Sequence, residues 1–333
     1  MTGVSDIGRQ TNLQYLLRVL RGDLDDAQAQ VSSGKKSTTI GGLGPQGASN
    51  AISFRNKNHV LDAYTSNLNT ATTTFTVMDQ AMGTIAESAR STLTYLRSQL
   101  QDTAPQGAIV SGQAQDALQN VVQKLNEQVN GKYVFTGDDI FNPPLNNQGT
   151  LNTNMATLVA GWMAGAPTPA SVAAGARAVT DTNLGLSSTV VASGNISFRG
   201  DDNTDIDYTV KANQAGFSDV LRGLAIISNL PQPTTPAEQT NYWAIVNGAI
   251  SLLDQGSKSI DTYQGQLGNT TNQVKGLLAQ HSDNQATFTT LVGSIEDADL
   301  AVASTQIQTL QTQLQASYSV VGQVKNLSLV NYI

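Results

Sequence analysis

Apolar residues recur at alternating intervals of three and four along Leu61, Tyr64, Leu68, Ala71, Phe75, Met78, Met82, Ile85 and Ala89, and Leu93, Leu96 and Leu100 resume the pattern one residue out of phase. This is the period of a helix that buries one stripe against partner helices, with a stutter after Ala89. The spacing predicts a single helix of roughly forty residues, about 60 Å long at 1.5 Å per residue. A compact single-core domain does not need a helix of that length. The chain is therefore expected to be elongated and mainly α.

The same period marks both ends of the chain. Leu13, Leu17, Leu20, Leu24, Ala27 and Val31 form one stripe, closed by SSGKK with Gly34 as the residue just past the helix. A last helix, expected from Ile295 to about Lys325, carries Leu300, Ala303, Ile307, Leu310, Leu314, Val321 and Val324. A further seam runs at intervals of seven through Val246, Leu253, Ile260, Leu267 and Val274, joined by Ile250 and Leu278 and weakened by the polar Ser257, Gln264 and Thr271. A shorter helix begins near Ile109 and uses Ala114, Leu118, Val121, Leu125 and Val129. TTIGGLGPQGAS (38–49) and QDTAPQG (101–107) read as breaks between helices.

The pattern changes after Asn130-Gly131, a strong turn signal beside the strand-forming Tyr133, Val134 and Phe135. Between Asp138 and Pro236 lie seven of the nine prolines, little heptad order, and an alternating stretch, ASGNISFRGDDNTDIDYTVKA, suited to a β-hairpin. Only FSDVLRGLAIISNL (217–230) reads there as a helix. The expected fold is thus mainly α: a long, rod-like antiparallel coiled-coil bundle formed by both chain ends, carrying a central α+β insertion. The expected divisions are 1–46 with 291–333, 47–137 with 241–290, and 138–240.

Site chemistry is sparse. His59 and His281 lie far apart and outside any metal-binding motif, and with no cysteine the chain lacks disulfides, thiol catalysis and thiolate metal sites. GDDNTD (200–205) lacks the glycine and glutamate placement of a calcium loop and reads as a polar hairpin turn. GGLGPQG follows a helix instead of a strand and reads as a connector. No Gly-x-Ser-x-Gly elbow or Ser/His/Asp grouping is present. No enzyme activity, cofactor or metal is expected. A net charge of -7 with no basic cluster beyond Lys35-Lys36 gives a nucleic-acid backbone nothing to hold. No stretch approaches a membrane span, and the first residues lack the basic and apolar regions of a cleaved signal peptide, so any export is expected to proceed without one.

From Thr305 to Ile333 the only charged residue is Lys325; glutamine, serine and threonine occupy the face opposite the apolar stripe. Burying Lys or Glu against a neighbour costs several kcal/mol per ion, whereas amides pair across interfaces. Such a helix is suited to burial on more than one side.

The residues at both ends resemble those of a known family. SIEDADLAVASTQIQTLQTQLQASYSVVGQVKNLSLVNYI resembles the C-terminal segment of bacterial flagellins, with its Ile-Glu-Asp-Ala-Asp start (295–299), Gln-rich helix (305–316) and Leu-Ser-Leu-x-Asn-Tyr ending (327–332). QVSSGKKSTTIGGLGPQGASNAISFRNK resembles a flagellin stretch built on Ser-Ser-Gly-basic, a polar loop and an Ala-rich helix start. NGKYVFTG with FNPPL is similar to the hook-filament junction subunit, hook-associated protein 3. The resemblance covers about 10–137 and 242–333; the insertion is unmatched. The chain departs from flagellins in its opening residues, and ESARSTLTYLRSQ (87–99) does not reproduce the flagellin pattern associated with the animal innate receptor.

The resemblance implies a structural subunit of the bacterial flagellum, exported through the flagellar type III pathway and assembled outside the cell into the helical filament for swimming. It implies alternatives in the hook-filament junction protein and in a secreted flagellin-like binding protein. Implied partners are copies of the chain itself, hook-associated and cap proteins and an export chaperone, with no nucleic acid and no membrane insertion. The implied inner coiled coil uses Leu13, Leu17, Leu20, Leu24, Val31, Leu300, Ile307, Leu310, Leu314, Val321, Val324, Leu327 and Leu329. The implied outer helical shell uses Leu61, Leu68, Phe75, Met82, Ile85, Leu253, Ile260 and Leu267. The terminal helices are implied to fold only as neighbouring subunits arrive.

Overall fold

The structure, a computed structural model, describes residues 3–100 and 107–330, with side chains from 11 to 100 and from 107 to 323. Of the break expected at 101–107, residues 101–106 lie outside the described residues and Gly107 opens the next helix. The structure is 77% helical, against two two-stranded sheets among the described residues, so the fold is mainly α. In chain order the elements are α1 (Gly3–Ser33), α2 (Gly44–Gln99), α3 (Gly107–Leu125), β1 (Gln128–Val129), β2 (Lys132–Tyr133), α4 (Gln148–Ala164), α5 (Pro169–Arg177), α6 (Ser188–Ala192), β3 (Ser197–Asp201), β4 (Thr204–Asp207), α7 (Ala215–Ser228), α8 (Pro236–Glu296) and α9 (Leu300–Val330).

Two helices are longer than their heptads suggest. α2 has 56 residues because helix begins at Gly44, directly after a 3-10 turn at Ile40–Leu43. Pro45 then sits in the first helical turn, where its missing N–H is not needed, so most of the glycine-rich stretch expected to be a connector is helical. α8 has 61 residues and runs through Ile295, which was expected to open the last helix. The break falls instead at 297–299, and Asp299 caps α9: its Oδ1 accepts from the amides of Ala301 at 3.0 Å and Val302 at 3.2 Å.

The chain divides into two compact units, Met1–Ala63 with Gln280–Ile333 and Tyr64–Ala279. α2 and α8 contribute residues to both. In the second unit the stripe of α2 from Leu68 to Leu96 packs into one core with Val110, Ala114, Leu118, Val121 and Leu125 of α3 and Val246, Leu253, Ile260, Leu267 and Val274 of α8. α2 and α8 run antiparallel there: Arg97 meets Asp254, Arg90 meets Asp261 and Gln264 meets Asp79.

α7 is buried on every side from Gly216 to Ile227, as expected of a helix apolar all round. It approaches α8 closely. A Cβ built at Gly256 would lie 2.8 Å from the Gly216 carbonyl oxygen and 2.8 Å from Val220 Cγ2, and one at Gly223 would lie 2.8 Å from Leu253 Cγ. The charges that α7 takes inside are paired. Arg177 Nη2 donates to Asp219 Oδ2 at 2.6 Å, and Arg222, nearly as buried as Asp219, donates from Nη1 to Asp219 Oδ1 at 3.3 Å.

Residues 138–240 hold more helix than expected. Besides α7 they contain α4, α5 and α6, built from Ala-rich segments whose propensity offsets their glycines. α5 opens with a capping box in which Thr168 and Ser171 satisfy each other's amides, with Pro169 in the first turn. The strand-like stretch forms one hairpin, β3–β4, pairing Phe198 with Ile206. Its rings close on α2, with Phe75 5.0 Å from Tyr208 and 5.9 Å from Phe198 between centroids. Leu151, Val172, Leu184, Val190 and Ile206 are buried, and all but Val190 belong to the same core as α2 and α8.

Candidate assembly interface

The first unit is built around α1 and α9, which pack against each other. Arg21 Nε donates to the Tyr318 hydroxyl at 2.8 Å and Lys35 meets Asp297, so the two helices run antiparallel. The shared seam is thin. Ala27, Ala303, Leu310 and Leu314 are buried; Leu13, Leu17, Leu20, Leu24, Ile307 and Val321 are only half-buried; Val31 and Leu300 are exposed. The side chains of Val324, Leu327 and Leu329 lie outside the described residues. Of the other positions singled out in the sequence, Leu61 is buried in the first unit and Leu68, Phe75, Met82, Ile85, Leu253, Ile260 and Leu267 are buried in the second.

The heptad stripe is not the whole apolar surface of this pair. Tyr15, Leu16 and Val19 on α1, and Val302, Tyr318 and Val320 on α9, are exposed beside it. Strict three-four counting passed over them because they occupy positions flanking the seam, although apolar residues beside the a and d positions are themselves a signal of a wider buried face. A single partner helix covers about one face of each helix. The remaining apolar face is what an additional neighbour would bury, at roughly 25 cal/mol per Å² of apolar surface removed from water.

α9 and α1 differ in chemistry. From Leu300 to Val330 α9 carries one charge, Lys325, whereas α1 carries Arg18, Arg21, Asp23, Asp25 and Asp26 in its second half alone. Desolvation therefore penalises burial of α1 more than of α9.

The junctions at the inner ends of the two helices are tied together. The SSGKK turn, with Gly34 at φ 69°, meets the Glu-Asp-Ala-Asp break through a short antiparallel bridge between Lys35 and Asp297. The Lys36 amide donates to the Glu296 carbonyl at 2.6 Å and the Ala298 amide to the Gly34 carbonyl at 2.9 Å. Around this backbone pair, Lys35 Nζ lies 2.6 Å from Asp297 Oδ1 and 3.6 Å from Glu296 Oε2, Arg55 Nη2 donates to Glu296 Oε2 at 2.7 Å, and Lys36 Nζ donates to the Ser294 carbonyl at 2.7 Å. The hydrogen bond that Lys35 donates to Asp297 is the first cause raising the Lys35 pKa. Glu296 is the buried member, with a side chain only 7% exposed.

Replacing Glu296→Gln removes the charge at the centre of this clasp while keeping its shape. Because Lys35 and Arg55 are both about half exposed, the loss is moderated by water and is expected to be about 1 kcal/mol. Amide hydrogen exchange at Lys36 and Ala298 in the clasp should quicken by about fivefold; unchanged protection there would show that the backbone pair holds without the carboxylate.

Sites for other chemistry do not emerge. Among the described residues no three His, Asp or Glu side chains gather as metal ligands, and no helix is long and apolar enough to cross a membrane. His59 is exposed beside Asp62, and His281 is buried within α8.

Residues 250–333 match the family model of the bacterial flagellin C-terminal helical region. That span holds most of α8, the Glu296–Ala298 side of the clasp and all of α9. No curated protein matches the chain. Among solved structures, one described as a flagellar hook-associated protein from Vibrio parahaemolyticus shares the fold with a TM-score of 0.55 at 13% identity, covering 75% of this chain and 97% of that one. The last quarter of the chain is thus similar to the flagellin C-terminal helical region, and the fold is shared with the hook-associated structure.

Proposed function

We propose that the chain is the subunit of the extracellular flagellar filament, a flagellin, and that it polymerises by burying the outer apolar faces of α1 and α9 against neighbouring copies. The observation that carries this reading is the apolar surface that the α1–α9 pair leaves exposed, Tyr15, Leu16 and Val19 on α1 and Val302 and Val320 on α9, the latter a helix with almost no charge along its described length. In this reading the inner coil comprises Leu13 to Val31 and Leu300 to Leu329, and the stripes of α2 and α8 belong to the next shell. Cap and hook-associated proteins meet the polymer at its ends, and an export chaperone holds the chain before assembly.

The hook-filament junction is the second reading. It is favoured by the NGKYVFTG hairpin, in which Asn130 and Gly131 take φ of 52° and 75°, and by the likeness in fold to the hook-associated structure. Electron microscopy of the purified chain, seeded with sheared flagellar fragments, separates the two. Long helical filaments built from this chain alone are the expected result; binding confined to hook tips without elongation would establish the junction reading and overturn the first.

A further inference from the structure

Phe141 is the most exposed large apolar residue among the described residues, at 73%. It is not on a loose segment. The Tyr133 amide donates to the Ile140 carbonyl at 2.9 Å, Asn142 Nδ2 donates to Asp139 Oδ1 at 2.7 Å, and the Ser187 amide donates to the Pro144 carbonyl at 2.9 Å. Asn126 holds Leu145 through both its amide and its carbonyl, at 3.0 Å and 2.9 Å. Two prolines, Pro143 and Pro144, stiffen what remains. A rigid aromatic side chain standing in water gives up little conformational entropy when a partner covers it.

Next to it, in the same unit, lies a hollow of the right chemistry. A cavity of about 100 Å³ opens between α2 and the β1–β2 hairpin, walled by Thr70, Thr74, Tyr133, Ile140 and Tyr208 and rimmed by Lys132. Its size is of the same order as the ~150 Å³ apolar cavity that takes up benzene. Tyr133 and Tyr208 offer ring faces and edges for a third aromatic. Lys132 is exposed and has no ion-pair partner among the described residues, whereas the exposed Asp138 lies three residues before Phe141. Ile140 forms part of the cavity wall while its neighbour Phe141 stands in solvent, so knob and hollow are separate surfaces of one chain.

We propose that Phe141 of one copy docks into the Tyr133–Tyr208 cavity of the next, with the exposed Asp138 against Lys132. Because knob and hollow are different patches, the contact can repeat head to tail, each copy's Phe141 entering the hollow of the next, as a helical polymer requires. The proposal rests on the reading that copies of this chain assemble, and it adds a contact remote in sequence from α1 and α9.

A benzophenone-bearing phenylalanine analogue in place of Phe141, irradiated in seeded polymers or at hook tips containing equal parts of light and isotope-labelled chain, tests the contact directly. Mixed-label cross-links to Thr70, Thr74, Lys132, Tyr133 or Tyr208 are expected; assembled copies that cross-link only elsewhere, or not at all, would overturn the docking and leave the assembly reading standing. Failure of the unmodified chain to assemble on any seed would overturn both. As a second measurement, Phe141→Asp should slow elongation at least tenfold with its denaturant midpoint unchanged, because the side chain it replaces touches little within its own copy. Elongation of that variant at the unmodified rate would also overturn the docking.

Discussion

Leu314→Lys is expected to yield a chain that is exported and folded in its second unit but does not elongate filaments. Leu314 is among the few large apolar side chains buried between α1 and α9, at 7% exposure. An ammonium there must either be buried, at a cost of several kcal/mol, or drag the α9 face apart from α1 to reach water. Either outcome spoils the surface that a neighbouring copy would meet. The chain supplies its own control: both tryptophans, Trp162 and Trp243, lie in the second unit, so fluorescence-monitored unfolding reports that unit alone. The midpoint should match that of the unmodified chain while seeded elongation falls below detection. Normal filaments from this variant would remove α9 from the assembly interface.

The largest stability effect is expected from Gly256→Leu. The groups nearest its added Cβ include the Gly216 carbonyl oxygen at 2.8 Å and the Val220 amide nitrogen at 3.1 Å, both backbone atoms of the α7 segment that no rotamer change can move aside. α7 and α8 would have to separate, opening the core around Val220, Leu224 and Leu253, at about 3 kcal/mol or more. On the same helix Gly265 and Gly268 have nothing within 4 Å of an added Cβ. Gly265→Ala and Gly268→Ala should therefore stabilise the second unit by about 0.5–1 kcal/mol each, through helix propensity alone. Urea unfolding followed by tryptophan fluorescence gives all three values; the opposite signs expected along one helix separate close packing from propensity.

Much of this was legible in the sequence because a heptad is a strong and local signal. The stripes of Leu13 to Val31, Leu61 to Leu96, Val246 to Val274 and Leu300 to Val321 all lie on continuous helices. Helix ends were less legible. Pro45 looks like a breaker until its place in the first turn is known, and Ile295 looks like a start because the capping carboxylate, Asp299, lies four residues later. The short helices α4 and α5 were missed because they carry no heptad and are rich in Ala, Gly and Thr; their stability comes from Leu151, Met155 and Val172 packing into a core shared with distant segments, which local pattern does not encode. Within the α1–α9 pair, periodicity picked out Leu310 and Leu314, which are buried, but also Val31 and Leu300, which are exposed. Tyr15, Leu16, Val19, Val302 and Val320 flank that stripe and stand exposed in the folded pair.

The clasp at Lys35 and Asp297 joins positions 262 residues apart. Closing a flexible loop of that length directly would cost about 5 kcal/mol by chain statistics, for a handful of partly exposed hydrogen bonds. Within the second unit α2 pairs with α8, so much of that separation is spanned by contacts that can form before the clasp does. Refolding should accordingly proceed in sequence, tryptophan burial first and amide protection at Lys36 and Ala298 afterwards. The two chain ends join late in folding because the residues between them must be organised first.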